Sequence, residues 1–96
     1  MVFNAIIDCM SRNRNEIANI ISNKAFNKTR FTESYVVDSV NAYMNELVIM
    51  LHDVNISNDD IMNSIEHETF ETTRFRTGYS ISDVDDFLDE IRRMLE

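Results

Sequence analysis

The sequence predicts an all-α fold: two helix-loop-helix repeats packed as a small helical bundle, a short coiled-coil pseudo-dimer within one chain. Three observations predict it. The phrase FNKTRFTESYVVDSVNAYMNELVIML, from Phe26 to Leu51, returns as FETTRFRTGYSISDVDDFLDEIRRML, from Phe70 to Leu95, at a constant offset of 44 positions. One glycine and no proline among 96 residues leave few helix breakers. Apolar side chains recur at helical spacing in both copies. A duplicated supersecondary unit buries its apolar face by stacking on its neighbour, and 44% hydrophobic content over this length suffices for one small core.

The elements follow in order. Phe3, Ile6, Ile7 and Met10 predict a short amphipathic helix within residues 1–12. Repeat one occupies residues 13–52, a polar linker spans 53–58, and repeat two occupies 57–96, all in a single compact domain. Each repeat opens with a short helix behind a capping-box signal, Asn13 with Glu16 and Ser57 with Asp60. Ile17, Ile20 and Ile21 stripe the first of these helices; Ile61, Met62 and Ile65 stripe the second. Phe26–Tyr35 and Phe70–Tyr79 fit neither period and read as irregular, partly buried loops.

A long helix closes each repeat. In copy two Ser80 caps it with Asp83 three residues on, after a glycine, Gly78, suited to a positive φ. Copy one has Ser34 and Val36 at those positions, so its helix start is less well capped, by ~1 kcal/mol. Val84, Phe87, Leu88, Ile91, Met94 and Leu95 form one buried seam, repeated as Val40, Tyr43, Met44, Leu47, Met50 and Leu51. Val48 and Ile49 replace Arg92 and Arg93, which places the copy-one helix more centrally.

Composition narrows the function classes. A net charge of −8 opposes nucleic acid and anionic lipid, except where bases cluster. Lys24, Lys28 and Arg30 cluster in the first loop and Arg74 and Arg76 in the second, while acids crowd the last helix. The lone cysteine, Cys9, favours a reducing cytoplasm. No apolar run approaches the ~18 residues of a membrane span, and the N-terminus lacks the basic region of a signal peptide. His52, His67 and Cys9 show no metal-ligand spacing, and no nucleophile-base pair or Gly-rich phosphate loop is present. The expectation is a protein without cofactor, metal or catalytic residue.

Copy two resembles the DivIVA domain of bacterial cell-division and pole-organising proteins. Gly78, Tyr79, Ser80, Asp83, Val84, Asp85, Phe87 and Leu88 match the family pattern G-Y-[DNS]-x-x-[DE]-V-[DN]-x-F-L in order and without gaps, and Asp89 follows directly. Copy one is a degenerate version that keeps Tyr35 and Val40, with Tyr43-Met44 in place of Phe-Leu. The resemblance covers roughly residues 13–96 and looks like a tandem DivIVA-repeat protein. It implies a non-enzymatic scaffold of cell division or envelope growth, at the cytoplasmic membrane face of septum or pole. The long coiled coil of the family is missing before Glu96, which puts family-style lattice assembly in doubt and points to a monomeric pseudo-dimer or a homodimer.

Two candidate sites follow. Asp85 and Asp89, four apart, share one helix face; in the GpsB-like branch the corresponding Tyr and Asp residues accept a partner's arginine, which assigns Tyr79, Asp85 and Asp89 to a division or cell-wall protein's cytoplasmic peptide. Copy one has Tyr35, Asn41 and Asn45 there, so copy two is the live site. A solvated acidic face is the plainer reading. The second site pairs rings with cations: Arg30 and Phe31, and Arg74, Phe75 and Arg76, suited to shallow contact with an anionic membrane. The favoured alternative is that both phenylalanines tuck under their loops as core. Two other classes remain: a nucleic-acid-binding regulator built on Arg12, Arg14 and Lys24 in a helix-turn-helix fragment, and a plain oligomerisation domain of a larger scaffold.

Overall fold

The computed structural model describes residues 14–30 and 32–96. The N-terminal helix expected within residues 1–12, the Asn13 cap, Arg12 and Phe31 lie outside the described residues. The chain runs α1 (Arg14–Asn23), β1 (Lys28–Thr29), β2 (Ser34–Tyr35), α2 (Val37–His52), α3 (Asn58–His67), β3 (Thr72–Thr73), β4 (Gly78–Tyr79) and α4 (Ile81–Leu95). The body is elongated, 51 × 24 × 17 Å.

The helices stand where the periodicity places them. Ser57 accepts from the Asp60 amide at 3.1 Å and Ser80 from the Asp83 amide at 3.4 Å, while Val36 offers α2 no side-chain cap. The weaker cap of copy one is thus present. Ile17, Ala18 and Ile21 of α1 pack on α2, and Ile61 and Ile65 of α3 pack on α4. The long helices bury matched sets: Val40, Tyr43, Met44, Leu47 and Leu51 in α2; Val84, Phe87, Leu88, Ile91 and Leu95 in α4. Each such aliphatic or aromatic side chain contributes about 1.5–3 kcal/mol by burial. α2 touches α1, α3 and β4, as its expected central position requires, but not through its extra apolar residues. Its extra apolar residue Ile49 is 68% exposed, and Val48 is half-buried.

The all-α and coiled-coil expectations are overturned. The loops carry a four-stranded antiparallel sheet in the order β1-β4-β2-β3, so the fold is mixed α/β. Both outer pairs join strands of different copies, Lys28 opposite Tyr79 and Ser34 opposite Thr73, and Tyr35 faces Tyr79 at the centre. The physical reason is backbone satisfaction. Partly buried loop amides and carbonyls need partners, and the nearest ones lie on the other copy. The Val36 amide donates to the Glu71 carbonyl at 2.8 Å, and the Ser80 amide to the Asn27 carbonyl at the same distance.

The exchange extends to side chains. Phe26 of copy one packs on Tyr79 and Phe87 of copy two, with centroids 5.2 and 5.5 Å away. Phe70 of copy two packs on Tyr35 and Tyr43 of copy one, at 5.0 and 5.6 Å. Each contact is the other shifted by 44 positions, which defines a pseudo-two-fold axis between Tyr35 and Tyr79. The copies meet through a shared core and a shared sheet rather than along a helical seam.

Gly78 serves this junction differently from the positive φ expected of it. Its φ lies outside the left-handed region. A Cβ there would sit 2.4 Å from Ser34 Oγ and 2.5 Å from the Tyr35 carbonyl oxygen. Its counterpart Ser34 is fully buried, so the two positions share space for one side chain.

Candidate functional site: two matched grooves

The pseudo-symmetry builds two grooves of similar size. The first, about 260 Å³, is lined by Ile65, Glu66, Glu68 and Phe70 at the end of α3, by Asp85, Leu88, Asp89 and Arg92 of α4, and by Tyr35. The second, about 270 Å³, is lined by Ile21, Ser22, Lys24 and Phe26 after α1, and by Asn41, Met44, Asn45 and Val48 of α2. Every helix-borne and loop-borne position of one maps onto the other at the same offset of 44. Apolar floors are kept; the rims are not. Four carboxylates and an arginine in the first become a serine, a lysine, two asparagines and a valine in the second.

The structure pairs Asp85 and Asp89 in one groove, as their spacing predicts, but brings a different tyrosine to them. The Tyr35 hydroxyl donates to Asp85 Oδ1 at 2.8 Å, whereas that of Tyr79 donates to Asn41 Oδ1 at 3.0 Å in the second groove. The strand exchange causes this: β2 and β4 each deliver their tyrosine to the other copy's long helix. Burial, then the bond to Asp85, pushes the Tyr35 phenol up to about 12.

Asp89 is already engaged. It receives Arg92 Nη2 at 2.9 Å and Arg93 Nη2 at 2.7 Å, and Arg92 Nη1 reaches Glu66 at 2.7 Å. These bonds raise the Arg92 pKa. Glu66 and Glu68 escaped the sequence reading, although the repeat offset sets them against Ser22 and Lys24 and could have shown the change of charge. Burial, and then the charge of Glu46, raises the Glu68 pKa.

Arg30, Arg74 and Arg76, in the connections that follow β1 and β3, are exposed. Phe75 is 88% exposed, which corrects the expectation that it tucks under its loop. Phe75 sits midway along the connection from β3 to β4, which are not neighbours in the sheet.

Arg14 is committed to structure. Its guanidinium donates to the carbonyls of Asp53 at 3.1 Å and Ile56 at 2.6 Å and to Asn58 Oδ1, closing the C-terminal end of α2. The helix-turn-helix expectation also fails geometrically, since α1 leads into β1 rather than into a second helix. Lys24 lies over the rings of Phe26 and Phe87, 5.8 and 5.2 Å from their centroids. His67 closes α3, its ring against the Asn63 carbonyl. Among the described residues no cluster of three His, Cys, Asp or Glu could hold a metal ion, and no helix is long and apolar enough to cross a membrane. Comparison of the chain with protein-family models, with curated proteins and with solved structures returns no match.

Proposed function

We propose that the chain is a non-enzymatic adaptor whose acidic groove receives an arginine-bearing peptide of a partner protein. The observation that carries this reading is the groove rim. Four carboxylates surround an apolar floor of Ile65, Phe70 and Leu88, and the resident Arg92 guanidinium already bridges two of them. Carboxylates so placed can receive planar guanidinium hydrogen bonds. Asp85, fixed by Tyr35, and Glu68, with its raised pKa, are the acceptors that Arg92 leaves open. A cation arriving there lowers the cost of keeping Glu68 charged.

The resemblance of Gly78–Asp89 to the DivIVA motif supports a role for such an adaptor in bacterial cell division or envelope growth, in the cytoplasm. A second reading rests on Phe75, exposed between Arg74 and Arg76: this segment contacts an anionic membrane surface. One ring and a few charges make that contact weak and reversible. Co-sedimentation with vesicles of anionic lipid tests it, and equal pelleting of wild type and Phe75→Ala counts against it.

The peptide reading is tested by fluorescence anisotropy, using a labelled peptide with a single arginine between apolar residues. Saturable binding that weakens about tenfold in Asp85→Asn and in Glu68→Gln is the expected outcome, the size of one charge-assisted hydrogen bond. Unchanged affinity in both variants would sink the reading.

A further inference from the structure

We infer that the copy-one groove is a second binding site of opposite polarity, which takes a carboxylate-bearing peptide side chain. This extends to its counterpart the reading of the acidic groove as a peptide site. The two grooves share their floor: Ile21, Phe26 and Met44 stand where Ile65, Phe70 and Leu88 stand in the acidic groove. The rim loses every carboxylate, and at one position the sign reverses. Glu68 is replaced by Lys24, Asp85 by Asn41, Asp89 by Asn45 and Glu66 by Ser22, so acceptors give way to groups able to donate.

The donors are held for such a role. Asn41 Oδ1 is occupied by the Tyr79 hydroxyl at 3.0 Å, which turns its NH2 away from that bond and leaves it for a ligand. The Lys24 ammonium is kept at the rim by the faces of Phe26 and Phe87 and has no carboxylate partner among the described residues. Val48 stands where Arg92 fills the acidic groove, so no resident side chain spans this rim. Together these groups offer a carboxylate one charge and up to two amide donors over an apolar floor. The net charge of −8 acts against encounter with an acidic peptide. At about 0.15 M salt the screening length is about 8 Å, so local donors rather than the overall charge then decide binding.

The test uses two labelled peptides that share an apolar frame, one carrying a single glutamate and the other a single arginine. Each is titrated by anisotropy against wild type, Lys24→Gln, Asn41→Asp, Lys28→Gln and Asp85→Asn, with circular dichroism verifying the fold of each variant. The glutamate peptide is expected to bind wild type and to weaken about tenfold or more in Lys24→Gln and Asn41→Asp. It should bind unchanged to Asp85→Asn, and to Lys28→Gln, which removes an equal charge outside the groove. Absence of saturable glutamate-peptide binding overturns the inference, as does an equal loss in Lys28→Gln. Failure of the arginine peptide alone removes the acidic-groove reading and leaves this site standing; failure of the glutamate peptide alone does the reverse.

Discussion

Gly78 is the residue on which the junction between the copies closes. A methyl group there would overlap both the Ser34 side chain and the Tyr35 backbone. Gly78→Ala should therefore lose about 1–3 kcal/mol, as overpacked sites do, read as a lower urea midpoint. Ser34→Gly should recover only part of that loss, because the Tyr35 carbonyl remains. Full recovery would mean that the strand backbones do not approach as described. Arg14 and Asn58 are counterparts that do one job with different reach: Arg14 binds carbonyls after α2, and Asn58 Nδ2 donates to the Leu95 carbonyl at 3.3 Å. Arg14→Ala should cost about 2 kcal/mol and Arg14→Asn, the copy-two choice, less. Tyr35 supplies a pH signature. Its folded pKa, about 12, lies above the usual phenol value of 10.0, so the unfolded chain deprotonates first as pH rises. Its contribution is complete below about pH 10 and is lost towards about pH 12. Denaturation midpoints across that window should fall less steeply in Tyr35→Phe; an identical slope would contradict the hydrogen bond to Asp85.

At the scale of elements, local chemistry explains the helices and fails for the strands. The stripes of α2 and α4 and the caps at Ser57 and Ser80 follow from neighbours within one turn, and each is readable from the residues in order. The missing cap of α2 is equally local. Val36→Ser should restore a bond to the Ser39 amide and stabilise the chain by about 0.5–1 kcal/mol, a rise in Tm of a few degrees; no rise would show that the Val36 side chain's packing is worth as much as the cap. The strands are two residues long and have no periodicity to read. Lys28–Thr29 is a strand only because Gly78–Tyr79 lies beside it. The same long-range pairing sets Tyr35 against Asp85 in place of the Tyr79 that the resemblance implies, because β2 and β4 exchange their tyrosines.

For the whole molecule, the repeats are interlocked halves rather than stacked units. Each copy's first loop phenylalanine, half-buried, packs against the other copy's tyrosine and long helix. A fragment of residues 57–96 should thus lack stable structure when dilute and gain helicity with concentration as it pairs with itself. Concentration-independent helicity in circular dichroism would argue that one repeat folds alone. Duplication within one chain also frees the two grooves to differ, which identical subunits cannot do.

By itself the sequence determined the repeat and its offset, the four described helices with their buried seams, the unequal caps, and the shared face of Asp85 and Asp89. All of these arise from residues a few positions apart. Only the tertiary structure decided the sheet, the spatial role of Gly78, the exposure of Phe75, the engagement of Arg92 by Glu66 of α3, and the choice of Tyr35 over Tyr79. Each of those depends on groups brought together by the exchange between copies, or, for Arg92 and Phe75, on which neighbours the folded chain leaves within reach. Hydrogen bonds and ring contacts across some 40 positions leave no periodic trace in the chain that makes them.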